Sequence, residues 1–133
     1  MKILVAYRED KVDRGLMDIA VKHAKAFDGE ILIVTSFKGG SSTSKTQHQD
    51  EIDAEKDLES ANAYFENCGV KCETHLLIRG LEAGEDIVSF AREKGVDEII
   101  MSVKKRSKVG KLLFGSTAQV VILESHCPVL AVK

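Results

Sequence analysis

The chain has 133 residues, of which 30% are charged, and a formal net charge of −2 at pH 7. This length predicts one domain, 1–133, that can bury enough surface to fold without disulfides or a metal. The near-balanced charge argues against specific nucleic-acid binding, and no apolar run reaches the about 20 residues of a membrane span. Three cysteines cannot form a closed disulfide framework, and no signal peptide is recognised, so we expect a cytoplasmic protein with no membrane contact.

Strand-like and helix-like patterns alternate along the first half of the chain. Residues 2–7 (KILVAY) form a short apolar run, which is typical of a strand buried on both faces. A helical pattern follows, with Asp10 as its predicted N-cap, and it ends at Gly29. Residues 30–37 (EILIVTSF) predict a second strand, and the small polar residues 38–49 predict a loop.

The second half of the chain repeats this alternation. An amphipathic stripe from position 54 to 68 predicts a helix, and later helices are predicted at 81–94 and 116–125. Strands are predicted at 70–78, 96–102 and 128–133. Such alternation indicates βαβ units, hence an α/β fold whose mostly parallel sheet carries helices on both faces. Ligands of these sheets bind beyond the carboxyl ends of the strands, which we call the carboxyl edge.

Complete catalytic, metal-binding or dinucleotide motifs are not found. No G-x-G-x-x-G occurs, and residues 39–46 (GGSSTSKT) resemble a P-loop but carry Ser44 where a glycine is required. That stretch also follows the second strand, and its helix is predicted to begin several residues later. A receiver domain would need an aspartate after strand three, where Arg79 and Gly80 stand. The four histidines lack metal-ligand spacing, so we expect no metal and no catalytic residue.

Residues 101–116 (MSVKKRSKVGKLLFGS) lie at the predicted carboxyl edge. They end in Gly115 and Ser116, where a helix is predicted to begin. Free backbone N–H groups, a hydroxyl and the positive end of a helix dipole suit a phosphate or another anion. Alternatively, the glycine only lets the chain turn and Ser116 caps the helix. The residues alone leave both interpretations open.

The ordered set KILVAY, IVSFAREKGVDEIIMS, LLFGSTAQVV and CPVLAVK resembles the universal stress protein family along the whole chain. The resemblance implies a five-stranded parallel sheet of order 3-2-1-4-5, a Rossmann-like fold of the adenine nucleotide alpha hydrolase type. It also implies a role in stress response and a homodimer. The pairing element would be the last strand, residues 128–133, which begins with Pro128.

One branch of that family binds ATP through glycine, two residues, glycine, nine residues, then glycine and serine or threonine. On this chain the motif falls on positions 102, 105, 115 and 116. Gly115 and Ser116 match it, whereas Ser102 and Lys105 replace the first two glycines. Arg8 replaces the aspartate that contacts the nucleoside in ATP-binding relatives. A Cβ at 102 or 105 would crowd a nucleotide lying close on the backbone, although the basic residues of 104–111 would attract phosphate.

We therefore interpret the chain as a small dimer that acts by binding and whose ATP site is partly eroded. The candidate nucleotide-binding residues are Ala6, Arg8, Val34, Ser102, Lys105, Gly115, Ser116 and Thr117. The last three would hold phosphates, Ala6 and Val34 would wall the nucleoside, and Arg8 and Lys105 would supply charge. Two alternatives stay open: an ATP- or AMP-binding switch with slow hydrolysis, and a protein-interaction adaptor that uses the basic residues 104–111.

Overall fold

Strands and helices alternate in the computed structural model, which describes residues 1–7, 14–39, 44–103 and 115–133. The strands are β1 (Lys2–Ala6), β2 (Glu30–Phe37), β3 (Cys72–Ile78), β4 (Glu98–Ser102) and β5 (Val129–Val132). The helices are α1 (Arg14–Ala26), α2 (Ser44–Asn67), α3 (Ala83–Glu93) and α4 (Ser116–Glu124). All pairings are parallel, in the order β3-β2-β1-β4-β5. The predicted α/β class and strand order are confirmed.

The central strands are apolar on both faces because helices cover both sides of the sheet. Along β1, Ile3 and Val5 face a core built with α1 and α2, whereas Leu4 and Ala6 face a core built with α3 and α4. This alternation follows from the two-residue period of a strand. The sheet is therefore the middle layer of three, and the helices that follow β3 and β4 share one face of it.

Helix α2 begins at Ser44, inside the stretch that the sequence predicted as a loop, so that prediction was wrong for residues 44–49. Residues 44–53 contain neither glycine nor proline and include several lysine, glutamine and glutamate side chains, which favour helix. The first buried residue of the described part of α2 is Ala54. No apolar stripe therefore marked its first turns in the sequence. A helix therefore begins within the P-loop-like stretch 39–46, contrary to the prediction, but Ser44 still stands where a P-loop requires glycine.

Among the described residues, the strands do not all end at the same level at the carboxyl edge. β1 ends at Ala6, and the N–H of Tyr7 donates to the carbonyl of Val34 at 2.9 Å. β2 and β3 stay paired further along, as far as Phe37 opposite Ile78. Since β2 lies on one side of β1 and β4 on the other, strand order reverses here, which is where ligands of open α/β sheets bind. The N-cap predicted at Asp10 lies outside the described residues.

Candidate functional site

The N-terminus of α4 stands at the carboxyl edge, directly after the segment that follows β4. Its N-cap is Gly115, in an extended conformation with φ −62° and ψ 159°, and the Gly115 carbonyl accepts a hydrogen bond from the Gln119 N–H at 3.1 Å. Ser116 is thus the first helical residue, and the reading of Ser116 as the cap was wrong. A glycine cap offers no side chain to the first N–H groups of the helix. An anion can therefore take the place of a capping oxygen.

The position of α4 depends on Gly84, the second residue of α3. A Cβ at this position would lie 2.8 Å from the Cβ of Val120 and 3.2 Å from the carbonyl oxygen of Thr117. Real Cβ atoms essentially never come as close as 2.8 Å to another atom, and 3.2 Å is tighter than most Cβ contacts, so glycine lets the two helices approach this closely. Gly84 thereby sets the distance between the first turns of α3 and α4.

The two residues predicted to wall a nucleoside are neighbours in the sheet. Ala6 and Val34 are partners in the β1–β2 register and lie in the same core cluster. Ala6 is 8% exposed, and Val34 is completely buried. Going along β2 on the same face, the next residue is Ser36, which is half-buried. Ser36 is therefore the β2 side chain on this face that stands closest to solvent at the carboxyl edge, and sequence reasoning missed it.

Ser36 is bound to an ion pair whose carboxylate, that of Asp86 near the start of α3, is buried. Its Oγ donates to Oδ2 of Asp86 at 3.0 Å, and Asp86 is 0% exposed. Arg79 donates from Nε to Oδ1 of Asp86 at 2.5 Å, and from Nη2 to the Asp86 backbone carbonyl at 3.3 Å. Its Nη1 donates to both oxygens of Glu93, at 3.1 and 2.9 Å. These bonds, led by the one to Glu93, hold the pKa of the Arg79 guanidinium above its usual value.

One sequence signal could have revealed this cluster. Asp86 lies four residues before Phe90, which belongs to the apolar face of α3, so helical spacing already places Asp86 on the inward face. A charged residue on such a face needs a partner. In the sequence, Arg79 was considered only as evidence against a receiver domain and not as this partner.

The remaining predicted site residues are distributed as follows. Ser102 closes β4, is half-buried and pairs in register with Val132. Its side chain faces away from that of Met101, because neighbouring side chains of a strand point to opposite faces. Thr117 is half-buried in the first turn of α4. Arg8 and Lys105 lie outside the described residues, so their parts in the site stay predictions.

Three other reactive groups in the described ranges have structural partners or lowered reactivity. Burial, with the charges of Glu66 and Glu73, raises the pKa of the Cys72 thiol to about 12, which keeps it protonated and poorly nucleophilic. His23 bonds Glu98 at 2.9 Å, and His126 bonds the carbonyl of Val96 at 2.9 Å. Within 1–7, 14–39, 44–103 and 115–133, no three acidic, histidine or cysteine side chains are grouped to hold a metal. No helix in these ranges is both long and apolar enough to span a bilayer.

Comparison with known proteins agrees with this fold. The model of the universal stress protein family matches residues 1–133. A solved universal stress protein from Archaeoglobus fulgidus superposes with a TM-score of 0.88 at 37% identity, covering 100% of this chain and 98% of that one. Another structure, of the Archaeoglobus fulgidus universal stress protein in complex with dAMP, has a TM-score of 0.82 at 31% identity with the same coverage. Universal stress protein MJ0531 from Methanocaldococcus jannaschii is 34% identical over 122 residues, which are 86% of this chain and 71% of its own. The chain belongs to the universal stress protein family.

Proposed function

We propose that this chain is a cytoplasmic stress-response protein that binds an adenosine monophosphate at its carboxyl edge and acts by binding, without catalysis. The observation that carries the proposal is the glycine-capped N-terminus of α4, which lies beside the point where strand order reverses. Its dipole and its first N–H groups suit one phosphate group. The relative solved with dAMP, 31% identical over the whole chain, supports an adenine nucleotide as the ligand.

The replaced glycines favour a monophosphate over ATP. The glycine motif of the family's ATP-binding branch falls on positions 102 to 116 of this chain. Here Ser102 and Lys105 replace two glycines whose backbone would cradle the outer phosphates. The Ser102 side chain faces the α1 and α2 side of the sheet, so Ser102 acts through lost backbone freedom and not through crowding. The basic residues of 104–111 attract any phosphate, but charge without a shaped cradle gives little selectivity. A single phosphate needs only the first turn of α4, which keeps Gly115 and Ser116.

Calorimetric titrations with AMP and with ATP test this proposal at physiological salt. We expect the natural chain to bind AMP with a Kd on the order of 10 μM and ATP at least about tenfold more weakly. The double variant Ser102→Gly, Lys105→Gly should recover ATP binding and leave AMP binding nearly unchanged. Lys71→Gly is the matched control, because it also replaces a lysine by glycine but lies just before β3, at the opposite edge of the sheet.

Two results would contradict the proposal. One is ATP binding to the natural chain more tightly than AMP, which would favour the ATP-dependent switch. The other is no binding of either nucleotide at millimolar concentration, which would leave the adaptor that uses residues 104–111 as the better interpretation.

We further propose that two copies pair through β5. Among the described strands, β5 pairs with β4 alone, so its other edge carries backbone groups that can pair with a second copy. Beside it, α4 exposes Ile122 (40%) and Leu123 (81%), two large apolar side chains that a partner would cover. Identical edge strands related by a twofold axis give a closed dimer.

Replacing Ala131 with proline is expected to convert this dimer into a monomer. The carbonyl of Pro128 accepts a bond from Ile99 in β4, and that of Val132 from Val103 just after β4, so the backbone of Ala131 points to the outer edge. Proline there removes the outward N–H but no bond to β4. Light scattering coupled to size exclusion should report half the mass of the natural chain. Ala131→Val, which keeps the N–H, should remain dimeric; a monomeric natural chain, or a dimeric proline variant, would contradict the proposal.

A further inference from the structure

The hydroxyl of Ser36 stands at one corner of the proposed nucleotide site. Ser36 lies on the face of the sheet that carries Ala6 and α4, at the end of β2 and beside the first turn of α3. α3 in turn contacts the first turn of α4 through Gly84. A nucleotide whose phosphate lies at α4 would therefore cross β1 and bring its base toward β2. Neighbouring strands are only about 4.8 Å apart.

The direction of the Ser36 hydroxyl proton is fixed by its buried partner. Asp86 is completely buried, and its Oδ1 already accepts the Nε–H of Arg79. A carboxylate in such a pair can only accept, so its Oδ2 takes the single proton of Ser36 at 3.0 Å. The Ser36 Oγ then has only lone pairs left to offer toward the site.

We propose that Ser36 is an acceptor-only contact for the base and selects a purine that carries an amino group over one that carries an oxygen at the same position. An exocyclic amino group donates a hydrogen bond to Oγ, whereas a carbonyl oxygen there meets a second acceptor and stays unpaired. Sites built around a directed hydrogen bond reject analogues that cannot complete it. This inference rests on the proposed function, and it assigns the discrimination between bases to the chain Arg79–Asp86–Ser36.

Titrations with AMP and with inosine monophosphate test the inference, because the exocyclic group of the base changes from an amino donor to a carbonyl acceptor, while the adjacent ring nitrogen changes from an acceptor to an N–H donor. The natural chain should bind AMP about tenfold more tightly than inosine monophosphate. Ser36→Ala should weaken AMP alone and reduce the ratio to below about threefold. Ser36→Thr, which keeps the hydroxyl, should retain most of the preference for AMP.

Asp86→Asn tests the inference by reversing the direction of the hydrogen bond between residue 86 and Ser36. Arg79 keeps its acceptor only if the amide oxygen of the asparagine faces Nε, which turns the amide N–H toward Ser36. That N–H then donates to Oγ and frees the Ser36 proton to point into the site. The preference for AMP should fall to parity or invert toward inosine monophosphate, with circular dichroism confirming that the variant is folded. Adding Ser36→Ala to Asp86→Asn should remove the gain for inosine monophosphate.

The outcomes separate this inference from the proposed function. If AMP binds and the ratio of affinities is the same in the natural chain, Ser36→Ala and Asp86→Asn, the inference is wrong and the nucleotide site stands. If the natural chain binds neither ligand, the proposed function fails and the inference falls with it.

Discussion

Arg79→Ala is expected to lower the free energy of unfolding by about 3 kcal/mol, because it leaves the carboxylate of Asp86 buried without its charged partner. Removing one member of a buried ion pair typically costs about 3–5 kcal/mol. The Arg79 side chain is 33% exposed, so water reaches part of the vacated space and we take the lower end of that range. Urea denaturation at pH 7, analysed with a constant m-value, measures the change.

Lys94→Ala is the matched control for Arg79→Ala. Lys94 and Arg79 both place a cation over the ring of Phe90, at 5.7 and 5.8 Å from its centre. Only Arg79 also bonds the buried carboxylate. The lysine variant should therefore cost less than about 1 kcal/mol. Equal effects of the two substitutions, or a loss below about 1 kcal/mol for Arg79→Ala, would show that the ion pair contributes little to stability.

Gly84→Ala should destabilise the chain by about 2 kcal/mol and weaken AMP binding about tenfold. The new Cβ would lie 2.8 Å from the Cβ of Val120, so α4 must move away from α3. Overpacking of this kind costs about 1–3 kcal/mol, and the better helix propensity of alanine offsets up to about 1 kcal/mol of it. The net loss should lie near the upper end of the remaining range, at about 2 kcal/mol, because both Cβ atoms are attached directly to the backbone and cannot rotate apart. Nucleotide affinity falls as well, because the first turn of α4 moves with the helix.

Two further variants check the cause of this effect. Glu85→Ala changes the exposed neighbouring residue and should alter stability by less than about 0.5 kcal/mol. Val120→Gly combined with Gly84→Ala removes the opposing Cβ and should restore AMP affinity, although the added glycine keeps stability low. A Gly84→Ala variant with natural stability and natural AMP affinity would contradict the role given to the close helix contact.

The fold could be predicted largely from the sequence because its strongest signals are local. The run at 30–37 is apolar and β-branched and is bounded by turn residues, and the predicted bounds coincide with β2. The beginning of α2 could not be predicted in the same way. Ile52 is the single large apolar residue of positions 44–53, so this stretch carries no apolar period, and the neighbouring glycines and serines favoured a loop. Helix propensity was the remaining signal, and it is weaker than hydrophobic periodicity.

The candidate site was predictable only where it rests on backbone position. Gly115 and Ser116 lie at the start of α4 as expected, since a glycine before a helical pattern is visible in the sequence. The contacts of Ser36 with Asp86 join residues 50 positions apart, and no local pattern reports such a contact. The requirement for glycine at position 84 likewise depends on Val120 and Thr117 of another helix. These features follow from tertiary packing, which one sequence does not specify locally.

The most direct test of a nucleotide site at the carboxyl edge is a titration of the 15N-labelled chain with AMP at physiological salt, in which NMR monitors the backbone amide signals. We expect the largest shift changes at Ala6, Ser36 and residues 115–118, and unchanged signals from Gly29 and Lys71 at the opposite edge. Shift changes that saturate at micromolar AMP would support the site. Unchanged spectra at millimolar AMP, or changes concentrated around Gly29 and Lys71, would contradict it.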